Sequence, residues 1–194
     1  MSLHTEVSAM AALKVVISVL GSDRPGIVAA VSQVLSENRC NIEDVSQTIL
    51  QSEFAGIFIA SLPEDLSMEG LEKKLQEHLN PMGLAVLLKP MHEADRYEAP
   101  PSEPFVVTTI GPDRLGLVAG ITDVMARFGV NITNLRAAFR GGPDPRRNVM
   151  IYEVDIPLHI DQQAFRKALR QRAEDLGLDL SLQHRDIFEA IHRI

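Results

Sequence analysis

Tryptophan is absent from this 194-residue chain, tyrosine occurs twice, and aromatic residues make up 5% of it. Few flat side chains are therefore on offer for stacking bases, which counts against RNA binding through aromatic strands. A single cysteine, Cys40, excludes an internal disulfide and the paired thiols of a cysteine-based metal carrier. No apolar run approaches the roughly 20 residues of a membrane-spanning helix, so no membrane partner is expected. The opening stretch, MSLHTEVSAMAALK, has neither the basic start nor the long apolar core of a secretory signal. A cytoplasmic location is the expectation. Basic charge is short as well: 19 Lys and Arg stand against 26 Asp and Glu, a net charge of −7. The one local basic cluster, Arg136, Arg140, Arg146 and Arg147, surrounds a Gly/Pro turn. Direct nucleic-acid binding is not expected from such a balance.

Catalytic arrangements are also missing. The six histidines (His4, His78, His92, His159, His184, His192) are scattered, none beside a serine or carboxylate in a recognisable pattern. No Gly-Lys-Ser/Thr completes a phosphate loop. Cys40 aligns with Val130 in the repeat described next and reads as a small apolar filler. The chain is therefore read as no enzyme, with no catalytic residue, no metal ligand and no cofactor assigned.

What the chain does contain is a repeat. GSDRPGIVAAV, from Gly21 to Val31, returns ninety positions later as GPDRLGLVAGI, from Gly111 to Ile121. The same offset pairs Asp23 with Asp113, Arg24 with Arg114, Gly26 with Gly116, and Asn41-Ile42 with Asn131-Ile132, without a gap. Repeats are settled before motifs, because they fix the architecture. The intervening PMHEADRYEAPPSEP is rich in proline and charge and reads as a linker. The expected layout is an N-terminal arm (1–12), a first domain (13–90), a linker (91–103) and a second domain (104–194).

Each copy opens with a short β-branched run, KVVISVL or FVVTTI, as central strands do. Helical spacing follows, with Ile27, Val28, Val31, Val34 and Leu35 in one copy. Leu117, Val118, Ile121, Val124 and Met125 repeat it in the other. Each helix is expected to bury that stripe. An antiparallel pair comes next, turning near Ser52-Glu53 in the first copy and through GGPDPRR in the second. Second helices with Ser67 and Asp161 as N-caps, then closing strands LAVLLKP and LDLSLQH, complete each unit. RDIFEAIHRI reads as an added short helix. The fold class is α+β: two tandem ferredoxin-like βαββαβ domains, each an antiparallel sheet with two helices on one face.

The repeated turn leaves a strand and opens a helix, where unpaired N–H groups and the helix dipole attract a carboxylate. Asp23 or loop carbonyls suit an ammonium group, and Asn41 and Asn131 bring both a donor and an acceptor. Such groups suit a zwitterionic amino acid. The same residues also suit a purely structural turn, with Ser22 or Asp23 as cap and Pro25 in the first helical turn. On the residues alone both readings stand.

At SDRPGIVAAVSQVLSENRCNIEDVSQTI the sequence resembles the ACT-domain family, small regulatory modules that bind amino acids. The resemblance implies ligand sites at ACT–ACT interfaces, built from the first loop and the start of the second strand. By position these are Asp23, Arg24, Pro25, Gly26, Ile27 and Asn41, and in the second copy Asp113, Arg114, Leu115, Gly116, Leu117 and Asn131. Leu115 stands where the first copy has Pro25, which implies a less rigid second loop. The tandem layout is similar to regulators that control transcription through a DNA-binding activator. It implies a homodimer, a small amino acid (glycine foremost) as ligand, and a protein partner that is a transcription factor or an enzyme. Formyltetrahydrofolate deformylases begin with a similar turn but continue into a catalytic domain, where this chain has a second copy. Regulation of an enzyme in trans, and a pairing module without ligand, are the alternatives.

Overall fold

The computed structural model describes residues 13–92, 97–139 and 148–192. The N-terminal arm, part of the linker, the GGPDPRR loop and Arg140, Arg146 and Arg147 fall outside the described residues. The chain divides into two compact units, Met1–Tyr97 and Glu98–Ile194.

In the first unit the order is β1 (Lys14–Ser22), α1 (Ile27–Glu37), β2 (Asn41–Leu50), β3 (Glu53–Ser61), α2 (Met68–Leu79), a 3-10 turn (Asn80–Met82) and β4 (Ala85–Pro90). In the second it is β5 (Ser102–Gly111), α3 (Leu117–Arg127), β6 (Asn131–Phe139), β7 (Asn148–Pro157), α4 (Gln162–Asp175), β8 (Asp179–His184) and α5 (Arg185–His192). Strand β5 begins at Ser102, inside the stretch read as linker. Both sheets are antiparallel and share one order, β2-β3-β1-β4 and β6-β7-β5-β8. Each is the expected ferredoxin-like sheet, with β2 and β6 at free edges.

Alternation along the central strands makes the core. Val15, Ile17 and Val19 point to the helices in the first unit and are buried with Phe58, Val31, Leu35, Leu71 and Leu75. Val107, Tyr152, Ile121, Met125, Phe165 and Leu169 do the same in the second. Such a period-two pattern buries one face of the sheet under the apolar stripes of two helices. Val28 and Val118 correct the expected stripes: they are 39% and 40% exposed, on the flank just outside the arc that meets the sheet. Ile27, Val31, Val34 and Leu35 are the buried residues of α1, with Ala30 partly buried against the same core.

Ser67 Oγ accepts from the Gly70 N–H at 3.0 Å. Asp161 Oδ1 accepts from Gln163 and Ala164 at 2.9 and 3.0 Å. Both are the N-caps that the sequence indicates. After β8 the chain forms α5, which packs on β5 and β8. Arg185 Nη1 lies 4.0 Å from Glu153 Oε2 there.

Candidate functional site

The two repeated turns begin their helices in the same unusual way. Gly26 and Gly116 are the N-cap residues, with φ of +97° and +84°. Left-handed backbone of this kind suits glycine, which has no Cβ to clash with the following carbonyl. This corrects two expectations. Neither Ser22 nor Asp23 caps α1, and Pro25 precedes the cap instead of occupying the first helical turn. A Cβ on Gly26 would meet nothing within 4 Å, so its backbone conformation, not close packing, is what favours glycine there.

The consequence is a pair of open helix starts. The first intrahelical bonds run from Ala30 N–H to Gly26 O (2.9 Å) and from Gly120 N–H to Gly116 O (2.8 Å). No side chain caps the three N–H groups before them, and no acid sits in either first turn. Helices α2 and α4, in contrast, are capped by Ser67 and Asp161.

The loop around each start is held from below. Arg24 Nη2 donates to the Met82 carbonyl, and Arg114 Nη2 to the Leu176 carbonyl. Both guanidinium groups thus tie their loops to the turn that precedes the closing strand, a favourable place for a cation beside late helical carbonyls. Asp23 N–H donates to Ser52 O at 2.7 Å. Ile27 and Leu117 are 2% and 4% exposed, so their side chains belong to the core and only their N–H groups face the loop. Pro25 is exposed and Leu115 fully so. Asp113 accepts from Asn148 Nδ2 at 3.3 Å.

Asn41 and Asn131 are placed elsewhere. Asn41 pairs with Ser61, which pairs with Lys14, at one end of the sheet. The Asp23–Gly26 loop follows Ser22, which pairs with Glu53 at the other end. Eight steps of strand separate them, about 26 Å at roughly 3.3 Å per residue. Asn131 and the Asp113–Gly116 loop stand at opposite ends in the same way. One module therefore does not bring its own loop and asparagine to one ligand. Each asparagine instead lies at an open cleft beside the first helix. Ser32, Ser36, Asn41 and Ile42 line it in the first module, and Thr122, Ala126, Asn131 and Ile132 in the second. A strand irregularity follows the asparagine in both, between Ile42 and Asp44 and between Ile132 and Asn134.

Cys40 and Val130 are buried equivalents, as the filler reading requires. Burial raises the Cys40 thiol pKa, against a smaller opposing pull from Lys74. Among the described residues no group of three or more His, Cys, Asp or Glu side chains is placed to hold a metal ion. No described helix is long and apolar enough to cross a membrane.

The model of the ACT domain matches residues 14–89 and 103–183, one match per sheet. The chain belongs to the ACT domain family. Among curated relatives, a UPF0237 protein of Methanopyrus kandleri is 44% identical over 87 residues, which span 44% of this chain and 93% of the relative. A UPF0237 protein of Methanosarcina acetivorans is 37% identical over 94 residues, 48% of this chain and 98% of the relative. Those relatives are as long as one ACT module of this chain. Two solved structures share the double layout. A protein of unknown function from Galdieria sulphuraria is 27% identical, with 89% of this chain and 98% of that one covered at a TM-score of 0.71. A structure provisionally assigned as a glycine cleavage system transcriptional repressor is 19% identical, with 90% and 98% covered at 0.67.

Sequence reading alone did not find Asn148. Its signal lies in the strand register, because the longer β6–β7 connection changes the offset between the ACT modules after β6. Register equates Asn148 with Phe54, each lying opposite the glycine near the end of its central strand.

Proposed function

We propose that this chain is an amino-acid-sensing regulatory protein, with a small amino acid bound where ACT modules meet. The observation that carries the reading is the contrast among helix starts. The two that follow the repeated turn are glycine-led and have no side-chain cap, whereas α2 and α4 are capped by Ser67 and Asp161. First-turn N–H groups without a side-chain cap and a helix dipole offer a carboxylate its partners, and Asp23 or Asp113 offers one to an ammonium group.

The distance between loop and asparagine supports a site completed by two modules. All of β2 from Glu43 to Leu50 is exposed, including Val45, Ile49 and Leu50 at 49%, 51% and 74%. A free, partly apolar edge of this kind pairs readily with another strand. Antiparallel pairing of two β2 edges would lay the Asn41 end of one against the loop end of the other. A homodimer would then complete sites from Asp23, Pro25 and Gly26 of one copy and Asn41 of its partner. Arg24 and Arg114 act by holding the loops in place, and Ile27 and Leu117 by their backbone alone. Asp113, Leu115, Gly116 and Asn131 are the corresponding set of the second module.

In this reading the ligand favours one module arrangement and thereby changes the affinity for a protein partner. Glycine is the first candidate, and the partner is a DNA-binding activator of glycine cleavage genes. The shared two-module layout and the acidic balance support that choice. An enzyme as partner, or a pairing module without ligand, are the other outcomes. Thermal unfolding in the presence of each of the twenty amino acids tests the reading. A ligand at one hundred times its dissociation constant stabilises by about 2.7 kcal/mol. A rise in Tm with a small amino acid, absent when Asn41→Ala and Asn131→Ala are combined, is the expected result. No rise with any of them leaves the pairing module, and recovery of bound partners separates activator from enzyme.

A further inference from the structure

The two modules differ beneath the repeated turn, and the difference is chemical. Phe54 in the first module is 2% exposed, and its ring lies over Gly56, where an added Cβ would come within 2.8 Å of it. Module two exchanges the sizes: the position of Gly56 holds Met150 and that of Phe54 holds Asn148. Met150 is buried, as is Phe54 in the first module. Position 148 carries a buried amide where the first module has a phenyl ring.

That amide is incompletely satisfied. Asn148 is 7% exposed, on the helix side of the sheet in alternation with Met150 and Tyr152. Its Nδ2 donates to Asp113 Oδ1, three residues before the Gly116 cap. The carboxylate fixes which way the amide points, because its oxygen would be repelled there. Oδ1 is left buried without a hydrogen-bond partner. An orphaned buried acceptor costs free energy, and native proteins keep few of them. Arg114 is already committed to Leu176, so the missing donor is not that side chain.

We propose that Asn148 Oδ1 and the Asp113 carboxylate together receive the ammonium group of an α-amino acid whose carboxylate rests on the open start of α3. This rests on the amino-acid reading given above and adds an asymmetry to it: the second module holds the polar floor, and Phe54 closes that position in the first. The ligand class is a primary ammonium beside a carboxylate. A quaternary amine, which has no N–H, cannot satisfy Asn148.

Calorimetric titration of the full chain with each of the twenty amino acids tests this, followed by the N-trimethyl form of the tightest binder. The second-module site is expected to be the tighter one, with at least about tenfold weaker binding in Asn148→Leu, as loss of a hydrogen bond to a charged group implies. Phe54→Leu keeps the wild-type affinity, and the trimethyl form does not bind. Two equal sites, an unchanged affinity in Asn148→Leu, or binding of the trimethyl form overturns the assignment and leaves the amino-acid reading standing. Unchanged affinity with a raised Tm in Asn148→Leu identifies a hydrated amide and likewise overturns it. No heat from the wild type with any amino acid overturns both. If Asn148→Leu does not fold, Asp113→Asn on the exposed loop decides: about tenfold weaker binding supports the assignment, and wild-type binding overturns it.

Discussion

Gly21 and Gly26 flank one short loop and resist substitution for opposite reasons, which alanine at each position separates. A Cβ on Gly26 meets nothing within 4 Å, so only its φ of +97° penalises an L-residue. That conformation costs about 1–2 kcal/mol, and the stiffer unfolded chain returns roughly 0.4–1 kcal/mol. A net loss of about 1 kcal/mol is expected for Gly26→Ala. Gly21 has no positive φ, but its Cβ would stand 2.8 Å from the Gly83 carbonyl oxygen and from Leu84 Cδ2. The leucine can shift, whereas the carbonyl belongs to the backbone turn that feeds β4. Overpacking against such a neighbour costs about 1–3 kcal/mol, and the fixed oxygen puts Gly21→Ala at about 2–3 kcal/mol. The second module provides an internal repeat. Gly111 faces Leu178 Cδ2 at 2.6 Å and the Gly177 oxygen at 3.0 Å, whereas Gly116 faces nothing. Urea unfolding of the full chain, followed by far-ultraviolet circular dichroism, should rank Gly21→Ala below Gly26→Ala and Gly111→Ala below Gly116→Ala in stability. The reverse order in either module would refute the reasoning, because backbone conformation would then outweigh packing at these turns.

Helix capping gives a second test: Asp161→Ala should cost about 1 kcal/mol, because two N–H groups lose their acceptor, while Asp23→Ala should cost under about 0.5 kcal/mol because it caps nothing. Equal losses in urea midpoint would show that α1 is capped after all. Burial raises the pKa of Cys40 above its ordinary 9.0 and that of Tyr152 above 10.0. The unfolded chain therefore ionises first, so this stability is complete below about pH 9 and is lost as pH rises towards the folded values. Cys40→Val, which installs the Val130 counterpart, should flatten the fall in Tm above pH 9. An unchanged slope would remove Cys40 as its cause.

Much of the fold is legible because it is local. The alternation of Val15, Ile17 and Val19, the spacing of Leu71, Leu75 and Leu79, and the caps Ser67 and Asp161 all act within a few residues of themselves. Val28 misleads because a stripe drawn from apolar letters does not show where the sheet ends beneath the helix. Asp23 and Ser22 mislead as caps because the preference for a polar side chain yields to a left-handed glycine at the same junction. Arg24 and Arg114 look like ligand residues in a motif, yet each reaches a carbonyl some sixty residues away. Such partners have no trace in local spacing.

The sequence by itself determined the duplication, the βαββαβ order of each copy and the absence of paired thiols, because these follow from composition and periodicity. Tertiary structure decided which groups share a place. It set Asn41 and the Asp23–Gly26 loop at opposite ends of one sheet, since β1 and β2 run the same way through β3 and the loop leaves where the asparagine does not. It also placed Asn148 beneath Asp113, because strand register, not distance along the chain, sets which side chains meet.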